Sequence, residues 1–233
     1  MIDLPQVTIL TIDGVGTDTN TIKALKHSIK DINFGAVKYI TAGDLKPNFC
    51  QIYKIPKMSY DDYSVFCMTE LLNYIDTEYM LIIHPDGFIV NPNLWTNEFL
   101  NYDYLGAPWN RSILHRNIMD KKILCDALIE SNFNYHVGNG GFSLRSKKLL
   151  KEVADLYSEK YVGYAEDAVI CIAMRKELEK RGIKFPENYK IAARFSCEIR
   201  HVDNEVLSSD NSFGFHCDQT HWDKMRHLEN VEL

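Results

Sequence analysis

The sequence predicts an α/β protein with a mixed, mainly parallel, twisted sheet flanked by helices. Two β-α-β units support this prediction, because each one implies parallel strands joined by a right-handed crossover. The first unit runs from a strand at residues 7–12 to a strand at residues 37–40, and the second ends in the apolar run at residues 79–83. A chain of 233 residues can form one domain with a sizeable core, so we expect a single domain over residues 1–233.

The first unit begins with β-branched residues and continues into an amphipathic helix. Residues 7–12 (VTILTI) have the composition of a strand, and residues 13–16 follow as a loop. Thr19 or Asn20 is expected to cap the helix, which ends at residues 34–35. The apolar stripe predicted for this helix comprises Ile22, Leu25, Ile29 and Ile32.

The second unit has clear signals for both its helix and its strand. Residues 41–58 are predicted to be irregular, and Ser59 and Asp62 then have the spacing of a capping box at a helix N-terminus. The apolar face predicted for this helix comprises Tyr63, Phe66, Leu71 and Ile75. Residues 79–83 (YMLII) form a continuous apolar run followed at once by His-Pro-Asp-Gly. Such a run, bounded by turn residues, predicts a strand buried on both faces.

The end of that strand carries the first candidate functional residues. In an open α/β sheet, ligands bind just past the carboxyl ends of the strands. His84 and Asp86 lie two residues apart, so in an extended segment their side chains point the same way. This pattern suggests a site for a divalent cation and the phosphates that the cation carries. The alternative is a Pro-Asp-Gly turn in which Asp86 bonds its own backbone.

The middle of the chain is expected to continue the alternation of helices and strands. A short helix is predicted at residues 94–100, a strand at residues 104–107, and a helix from about residue 119 to residue 130. Basic residues in or before that last helix are Arg111, His115, Arg116, Lys121 and Lys122. They fit either a solvated helix face or a lid that faces a phosphate or an acceptor.

Residues 137–145 (VGNGGFSLR) contain three glycines within four positions, which breaks any regular element. Glycine permits positive φ and a close approach of the backbone to a ligand. The alternative interpretation is a bulge or tight turn before the strand that resumes at Phe142. Ser146 is then expected to cap a further helix.

Glu166 and Asp167 open a predicted helix that ends before Gly182. Acidic residues are favourable at a helix start, so capping explains both of them. The functional alternative is that one carboxylate is a general base aimed into a cleft. Near the C-terminus, His216 follows an aromatic run broken by glycine, and a last short helix is predicted from about Thr220.

The overall composition excludes several classes of function. The net charge is −6 and there is no dense block of lysine and arginine, so a nucleic-acid-binding surface is not expected. None of the six cysteines forms a C-x-x-C pair, which is typical of free thiols in a reducing compartment. No run reaches the length of about 18 apolar residues that spans a membrane. The expected location is the cytoplasm.

In combination, these stretches resemble the glycosyltransferases of the GT-A fold, and in particular a glycosyltransferase-like family with the same series of short motifs. The series in this chain comprises DGF at 86–88, YDYLGAPW at 102–109, VGNGGFSLRS at 137–146, ED at 166–167 and FGFH at 213–216. The motifs occur in the order of the family, and the resemblance spans residues 5–217. The block at 137–146 is long enough to be specific, whereas each shorter motif alone is not.

The resemblance implies a GT-A-like fold and transfer of a sugar from a nucleotide-diphosphate sugar, expected to be UDP-linked. Asp86 would stand at the D-x-D position that holds the metal and the diphosphate, with His84 in place of the first carboxylate. The C-terminal metal histidine of the family corresponds to His216. Its aspartate base corresponds to Asp167, which implies inversion at the anomeric carbon. The implied cofactor is Mn²⁺ or Mg²⁺, bound by Asp86 and His216 with His84 as a third ligand.

The resemblance also divides the chain into a nucleotide-binding half, residues 5–90, and an acceptor and catalytic half, residues 91–220. Asp167 and its neighbour Glu166 are the predicted catalytic residues. The predicted donor contacts are Thr11, Asp13, Ser64, His84, Asp86, Gly87, Asn139, Gly140 and Gly141. A glycan, a protein or a small molecule is expected as the acceptor.

Two other functions are compatible with the same pattern. A non-catalytic module that binds a nucleotide sugar or a glycan would keep the fold without the first metal carboxylate, whose position His84 takes here. A sugar nucleotidyltransferase shares the α/β layout, but it normally needs a glycine-rich signature with a basic residue close to the N-terminus. Residues 13–16 (DGVG) do not supply that signature.

Overall fold

The computed structural model describes residues 1–16, 19–109, 120–131, 137–198, 201–202, 205–216 and 222–233. The strands of its main sheet are β1 (Ile2–Asp13), β2 (Ile32–Thr41), β3 (Gln51–Lys54), β4 (Tyr79–Ile83), β5 (Tyr104–Leu105) and β6 (Ser143–Ser146). They lie in the order β3-β2-β1-β4-β6-β5. Two short ladders lie outside this sheet and consist of β7 (Ser196–Cys197) with β10 (Gly214–Phe215), and β8 (His201–Val202) with β9 (Glu205–Val206).

The main sheet is mixed and mainly parallel, which confirms the predicted fold class. β1 pairs in parallel with β2 on one side and with β4 on the other, and β2 pairs in parallel with β3. β6 runs antiparallel to both β4 and β5. The strand β4 therefore lies in the middle of the sheet, and its carboxyl end lies between the parallel strand β1 and the antiparallel strand β6.

Helices cover both faces of the sheet. They are α1 (Thr19–Ser28), α2 (Tyr60–Thr69), α3 (Lys122–Glu130), α4 (Lys147–Leu156), α5 (Glu166–Ala168), α6 (Arg175–Lys180) and α7 (Tyr189–Phe195), with a π-helix (Val169–Ala173) between α5 and α6. Short 3-10 helices lie at Leu71–Tyr74, Pro92–Leu94, Asn97–Asn101, Glu159–Tyr161, Ser209–Asn211 and Trp222–Leu228. Among the described residues, no helix has both the length and the apolar character needed to cross a membrane.

The strand β4 is buried on both faces, as its apolar run predicts. Leu81 packs in one cluster with Leu25 of α1, and Ile82 packs in another with Phe66 of α2. Residues 80–83 are fully buried. Burial of one such side chain stabilises the fold by roughly 1.5–3 kcal/mol. The strand is therefore a rigid support for the residues that follow it.

The first helix is shorter than the sequence predicts. It already includes Thr19 and Asn20, so neither residue is its N-cap, and it ends at Ser28. Ile32 belongs to β2 and pairs with Ile2 at the start of β1. The position of Ile32 fits both a helical stripe and the alternation of a strand. Pairing with β1 decides in favour of the strand.

The strand β3 and the helix α7 are among the elements that the sequence prediction misses. The edge strand β3 lies within residues 41–58, which are predicted to be irregular. Its four residues are polar or partly exposed, so they show no apolar run. The helix α7 begins after Asn188, whose side chain accepts a hydrogen bond from the Lys190 N–H.

Several predicted elements are present in shorter form. Residues 94–100 contain parts of two 3-10 helices, the strand predicted at 104–107 is limited to β5, and α3 begins at Lys122. The basic residues Arg111, His115 and Arg116 lie outside the described part of the chain, as does Thr220. The helix that begins at Glu166 is interrupted by the π-helix, a wider turn that often occurs near functional sites.

Three predicted helix ends are confirmed by their geometry. Ser59 and Asp62 form a full capping box at the start of α2. The Ser146 side chain accepts a hydrogen bond from the Leu149 N–H at the start of α4. Gly182 follows α6 with a φ of +77°, the left-handed conformation that glycine adopts at helix ends.

Candidate metal and donor site

The chain turns sharply at the carboxyl end of β4. The His84 N–H donates to the Gly87 carbonyl oxygen at 2.8 Å, and the Gly87 N–H donates to the His84 carbonyl oxygen at 3.1 Å. Pro85 and Asp86 therefore form the corner of a tight turn. Of the two interpretations that the sequence leaves open, the structure shows the turn and not the extended segment, because Pro-Asp-Gly favours a turn over a continued strand.

The turn nevertheless brings the predicted metal ligands together. His84, Asp86 and His216 each offer one ligand atom, and these atoms all lie within 4.8 Å of one another. Nε2 of His216 is 3.7 Å from Oδ1 of Asp86. This metal-ligand cluster lies past the carboxyl end of a central strand, where an open α/β sheet binds its ligands.

Aromatic packing brings His216 to the cluster from the C-terminal part of the chain. The ring of Phe215 lies 4.8 Å from the ring of Phe88, centroid to centroid, and the Phe215 N–H donates to the Phe88 carbonyl oxygen at 3.3 Å. The neighbouring Gly214 has to be glycine, because a Cβ there would fall 2.2 Å from the Phe142 ring. The FGFH motif is thus held against the core, and His216 follows directly.

Each histidine of the cluster has a second contact on its other ring nitrogen. Nε2 of His84 is 2.8 Å from the Tyr63 hydroxyl oxygen. Nδ1 of His216 is 3.1 Å from Oε1 of Glu198 and 3.0 Å from Nδ2 of Asn139. A carboxylate only accepts and an amide nitrogen only donates, so Nδ1 can hydrogen-bond to Glu198 or to Asn139 but not to both at once. With the hydrogen on Nδ1, bonded to Glu198, the neutral ring leaves Nε2 of His216 free for a cation. Sequence reasoning missed Glu198, which lies 18 residues before the histidine that it contacts.

Two glycines keep the centre of the cluster open. A Cβ on Gly141 would fall 2.2 Å from Nε2 of His216 and 3.0 Å from Nδ1 of His84. A Cβ on Gly87 would fall 2.8 Å from Cδ2 of His216. Metal–nitrogen bonds to imidazole are about 2.0–2.1 Å long for zinc, so a side chain at position 141 would occupy the space of a bound cation. The cluster therefore fits a metal in both its donor atoms and its free space.

The two histidines of the cluster differ in their pKa values. Burial, together with the nearby His216, lowers the pKa of His84 to about 4. His84 is therefore neutral at pH 7, which is the form that binds a metal. Burial also acts to lower the pKa of His216, but the hydrogen bond and charge of Glu198, with Asp86, raise it above its ordinary value.

Asp167 is held by two backbone N–H groups at the start of α5. The Gly140 N–H donates to its Oδ2 at 2.8 Å, and the Ala168 N–H donates to its Oδ1 at 2.7 Å. Burial raises the pKa of Asp167 to about 7, and the charge of Glu166 adds to this effect. The two N–H groups act in the opposite direction. Asp167 can therefore accept and release a proton near neutral pH, as a general base requires.

Glu166 has a different partner. Its Oε1 lies 2.8 Å from Nη2 of Arg145, whose side chain is fully buried. Nε of Arg145 donates to the Ser143 hydroxyl oxygen at 3.0 Å. A Cβ on Gly140 would fall 2.2 Å from Oε1 of Glu166, so only glycine allows this close approach. The ion pair ties the start of α5 to strand β6.

Asn139 connects the glycine-containing stretch to the cluster. It adopts a φ of 63°, a left-handed conformation that asparagine tolerates better than most residues. Its Oδ1 accepts from the Phe142 N–H at 3.3 Å, and its carbonyl oxygen accepts from the Tyr104 hydroxyl at 2.9 Å. Its Nδ2 reaches His216. The stretch therefore forms a compact turn that borders the cluster.

The remaining predicted donor contacts lie in the interior. Asp13 accepts from the Gly16 N–H at 2.6 Å and from the Tyr39 hydroxyl at 2.9 Å, so it closes the loop after β1. The side chains of Thr11 and Ser64 are buried, and their hydroxyl groups have no hydrogen-bond partner among the described residues. The structure thus brings Gly87, Asn139 and Gly141 to the cluster, places Gly140 against Glu166 and Asp167, and leaves Thr11, Asp13 and Ser64 inside the protein.

The sheet and its flanking helices define an α/β fold of the GT-A type. The solved structure of the galactosyltransferase LgtC, in complex with donor and acceptor sugar analogues, matches with a TM-score of 0.52 at 14% identity, over 100% of this chain and 97% of that chain. A glycosyltransferase involved in the glycosylation of the major capsid of PBCV-1 matches with a TM-score of 0.49 at 13% identity, over 96% and 98% of the two chains. At this level of identity, the likeness to LgtC shows a common fold.

The chain belongs to the family DUF5672, which is described as a protein of unknown function. The match covers residues 52–216 and so includes the turn after β4, the glycine-containing stretch, Glu166, Asp167 and His216. A comparison with curated proteins finds no significant match. The functional conclusion therefore rests on the chemistry of the site.

Proposed function

We propose that the chain is a glycosyltransferase that moves a sugar from a nucleotide-diphosphate sugar, expected to be UDP-linked, to an acceptor hydroxyl. The observation that carries this proposal is the convergence of His84, Asp86 and His216 within 4.8 Å at the end of β4. A cation-binding cluster at this edge of the sheet suits a donor whose diphosphate needs charge neutralisation. The similarity in fold to LgtC is consistent with this function.

The proposed donor site lies between a nucleotide-binding half, residues 5–90, and an acceptor half, residues 91–220. His84, Asp86 and His216 would hold Mn²⁺ or another divalent cation, which stabilises the charge that develops on the diphosphate leaving group. The glycines at positions 87, 140 and 141 allow the backbone to approach the donor closely.

The proposed base is Asp167, with inversion at the anomeric carbon. Its carboxylate takes the proton of the acceptor hydroxyl as that oxygen attacks the sugar, and the bond to the diphosphate breaks on the opposite side. The N–H groups of Gly140 and Ala168 fix the direction of the carboxylate. Glu166 supports this arrangement through its ion pair with Arg145, which fixes the start of the same helix.

The test is a panel of nucleotide sugars incubated with the purified chain, with and without Mn²⁺, and scored by the release of nucleoside diphosphate. Glycan, peptide and small-molecule acceptors are included, because the acceptor class is open. Release that requires one donor and an added metal supports the proposal. The His216→Ala variant is expected to lose the metal-dependent release, whereas His227→Ala, which changes an exposed histidine outside the cluster, keeps it.

The second candidate is a non-catalytic module that binds a nucleotide sugar or a glycan. The observation that favours it is the imidazole of His84 at the position where D-x-D enzymes have a carboxylate. Such a module would show donor binding, measured as a higher melting temperature with UDP and Mn²⁺, without release of nucleoside diphosphate from any donor. We also propose a cytoplasmic location, because none of the six cysteines in the sequence forms a C-x-x-C pair.

A further inference from the structure

We propose that the metal-ligand cluster prefers later first-row transition metals, such as Co²⁺ and Zn²⁺, over Mg²⁺, that His84 determines this preference, and that Gly141 provides the space for the cation. The inference rests on the metal-binding part of the proposed function. It concerns the binding step alone, so it can be tested in the absence of donor and acceptor.

The donor atoms of the cluster are the first argument. His84 and His216 offer imidazole nitrogens, and Asp86 offers the single carboxylate. Mg²⁺ takes oxygen ligands in near-octahedral geometry and loses its waters reluctantly. Imidazole suits zinc, copper, iron and nickel, and affinity rises from manganese towards copper along the first row. Two nitrogens and one carboxylate therefore favour a later transition metal and disfavour Mg²⁺.

The outer contacts of the two rings are the second argument. Nε2 of His84 lies 2.8 Å from the Tyr63 hydroxyl oxygen, so the nitrogen that faces the cluster is Nδ1. Nδ1 of His216 lies 3.1 Å from Glu198, so the nitrogen that faces the cluster is Nε2. In both histidines, the ring nitrogen that points away from the cluster has a partner that fixes the orientation of the ring, as is usual for metal-binding histidines. Fixed rings suit the directional bonds that imidazole makes to a transition metal.

The free space beside the two nitrogens is the third argument. A Cβ on Gly141 would lie 2.2 Å from Nε2 of His216 and 3.0 Å from Nδ1 of His84. The absence of a side chain at position 141 is therefore what lets both imidazoles share one cation. Gly141→Ala is expected to remove binding of every metal, whereas His84→Asp is expected to change only which metal binds.

The experiment titrates the metal-free full chain with Mg²⁺, Mn²⁺, Co²⁺ and Zn²⁺ by calorimetry, without nucleotide. We expect Co²⁺ and Zn²⁺ to bind at least about 100-fold more tightly than Mg²⁺. His84→Asp restores a carboxylate and is expected to reduce this ratio by about tenfold or more. Tyr63→Phe removes the outer contact of His84, so it is expected to lower Co²⁺ affinity by about 10-fold, within the range seen for such contacts.

Two controls separate the cluster from other metal-binding surfaces. His216→Ala removes one ligand and is expected to abolish tight Co²⁺ binding. His227 is an exposed histidine whose ring lies 5.4 Å from that of His27, outside the cluster, and His227→Ala is expected to leave all affinities unchanged. Melting curves of each variant show whether it is folded.

Three results would overturn the inference. The first is that the wild-type chain binds Mg²⁺ as tightly as Co²⁺. The second is that His84→Asp leaves the ratio of the Co²⁺ and Mg²⁺ affinities unchanged. The third is that His216→Ala keeps full Co²⁺ affinity. A chain with the expected metal preference that releases no nucleoside diphosphate would support this inference and refute the proposed activity. If the chain transferred a sugar but bound Mg²⁺ and Co²⁺ equally tightly, the result would support the proposed activity and refute this inference.

Discussion

Glu166 and Asp167 are neighbours in the sequence, but their carboxylates lie in different environments. Glu166 pairs at 2.8 Å with the fully buried guanidinium of Arg145. Among the described residues, the hydrogen-bond partners of the Asp167 carboxylate are the backbone N–H groups of Gly140 and Ala168. The Arg145 guanidinium pairs directly with the first carboxylate, whereas burial and the charge of Glu166 raise the pKa of the second to about 7, against the two N–H groups and the charge of Arg145. The partners of each carboxylate, rather than its position at the helix start, decide what it can do.

The largest effect is expected from removal of the proposed base. Asp167→Asn keeps the shape of the side chain but cannot take a proton, so the rate of sugar transfer is expected to fall by about 10²–10⁴-fold. The measurement is nucleoside diphosphate release at saturating donor and acceptor, with donor affinity measured separately and expected to be unchanged. Asp155→Asn, which changes an exposed aspartate on α4, is the matched control. Normal turnover by Asp167→Asn would refute the assignment of the base.

The next largest effect is expected on the free energy of unfolding, from a substitution of Glu166. Glu166→Gln leaves the buried charge of Arg145 without a counter-ion, and the loss of one partner from a buried ion pair typically costs about 3–5 kcal/mol. Nη1 of Arg145 already lacks a hydrogen-bond partner among the described residues, and the Tyr104 ring, 5.3 Å from Cζ of Arg145, offsets only part of the loss. The free energy of unfolding, from denaturant titration, checks this prediction.

The control for Glu166→Gln is an exposed ion pair in the same part of the chain. Glu152 lies 3.0 Å from Arg181, and the two side chains are 23% and 36% exposed. Because solvent screens such a pair, Glu152→Gln is expected to cost less than about 1 kcal/mol. Equal losses in Glu152→Gln and Glu166→Gln would mean that burial does not distinguish the two pairs.

The local parts of the site could be predicted from the sequence, and the long-range parts could not. The buried run Tyr79–Ile83, the turn residues after it and the Ser146 cap are visible because their signals lie within a few residues. Glu198 and Tyr63 contact His216 and His84 through the fold, 18 and 21 residues away, and no local pattern marks them. The resemblance to GT-A enzymes supplied the pairing of the β4 end with His216, which spacing alone does not indicate.

The different environments of Glu166 and Asp167 also could not be predicted from the sequence. Capping explains both Glu166 and Asp167 at a helix start, and the local pattern leaves a general-base role open to either, so that only the resemblance to GT-A enzymes pointed to Asp167. Arg145 belongs to the VGNGGFSLRS motif, but nothing local shows that its side chain turns inward to pair with Glu166. The contact depends on Gly140, where a Cβ would collide with the Glu166 carboxylate.

A smaller effect is expected in the pH dependence of the reaction. The pKa of Asp167 is about 7, so the basic form is lost as the pH falls below that value. The rate is expected to level off above pH 7 and to fall about tenfold for each pH unit below it. Initial rates between about pH 5 and 9 check this, and a profile that stays flat down to about pH 5 would indicate an aspartate with an ordinary pKa near 4.

The smallest effect is expected on the free energy of unfolding of Asp167→Asn. The substitution lowers the rate of sugar transfer, whereas it raises the free energy of unfolding relative to the wild type as the pH rises. Because the pKa of Asp167 is higher in the folded chain than its ordinary value of 3.8, the folded state binds the proton more tightly than the unfolded state. The stability that this proton provides is fully present below pH 3.8 and is lost as the pH rises through about 7. Asp167→Asn has no such loss, but its amide nitrogen cannot accept the N–H of Gly140 or Ala168, so we expect its stability relative to the wild type to improve from pH 5 to pH 8.

The expected gain is on the order of 1–2 kcal/mol, less than the full shift implies because the carboxylate is partly exposed. Melting temperatures of Asp167→Asn and wild type at pH 5 and pH 8 check the prediction, with Asp155→Asn as the variant whose difference from wild type should not depend on pH. A difference for Asp167→Asn that is the same at both pH values would contradict it. An inactive Asp167→Asn whose relative stability improves as the pH rises is the pattern expected when a charge with a raised pKa is kept for function at a cost in stability, whereas Glu166→Gln should lose stability at both pH values.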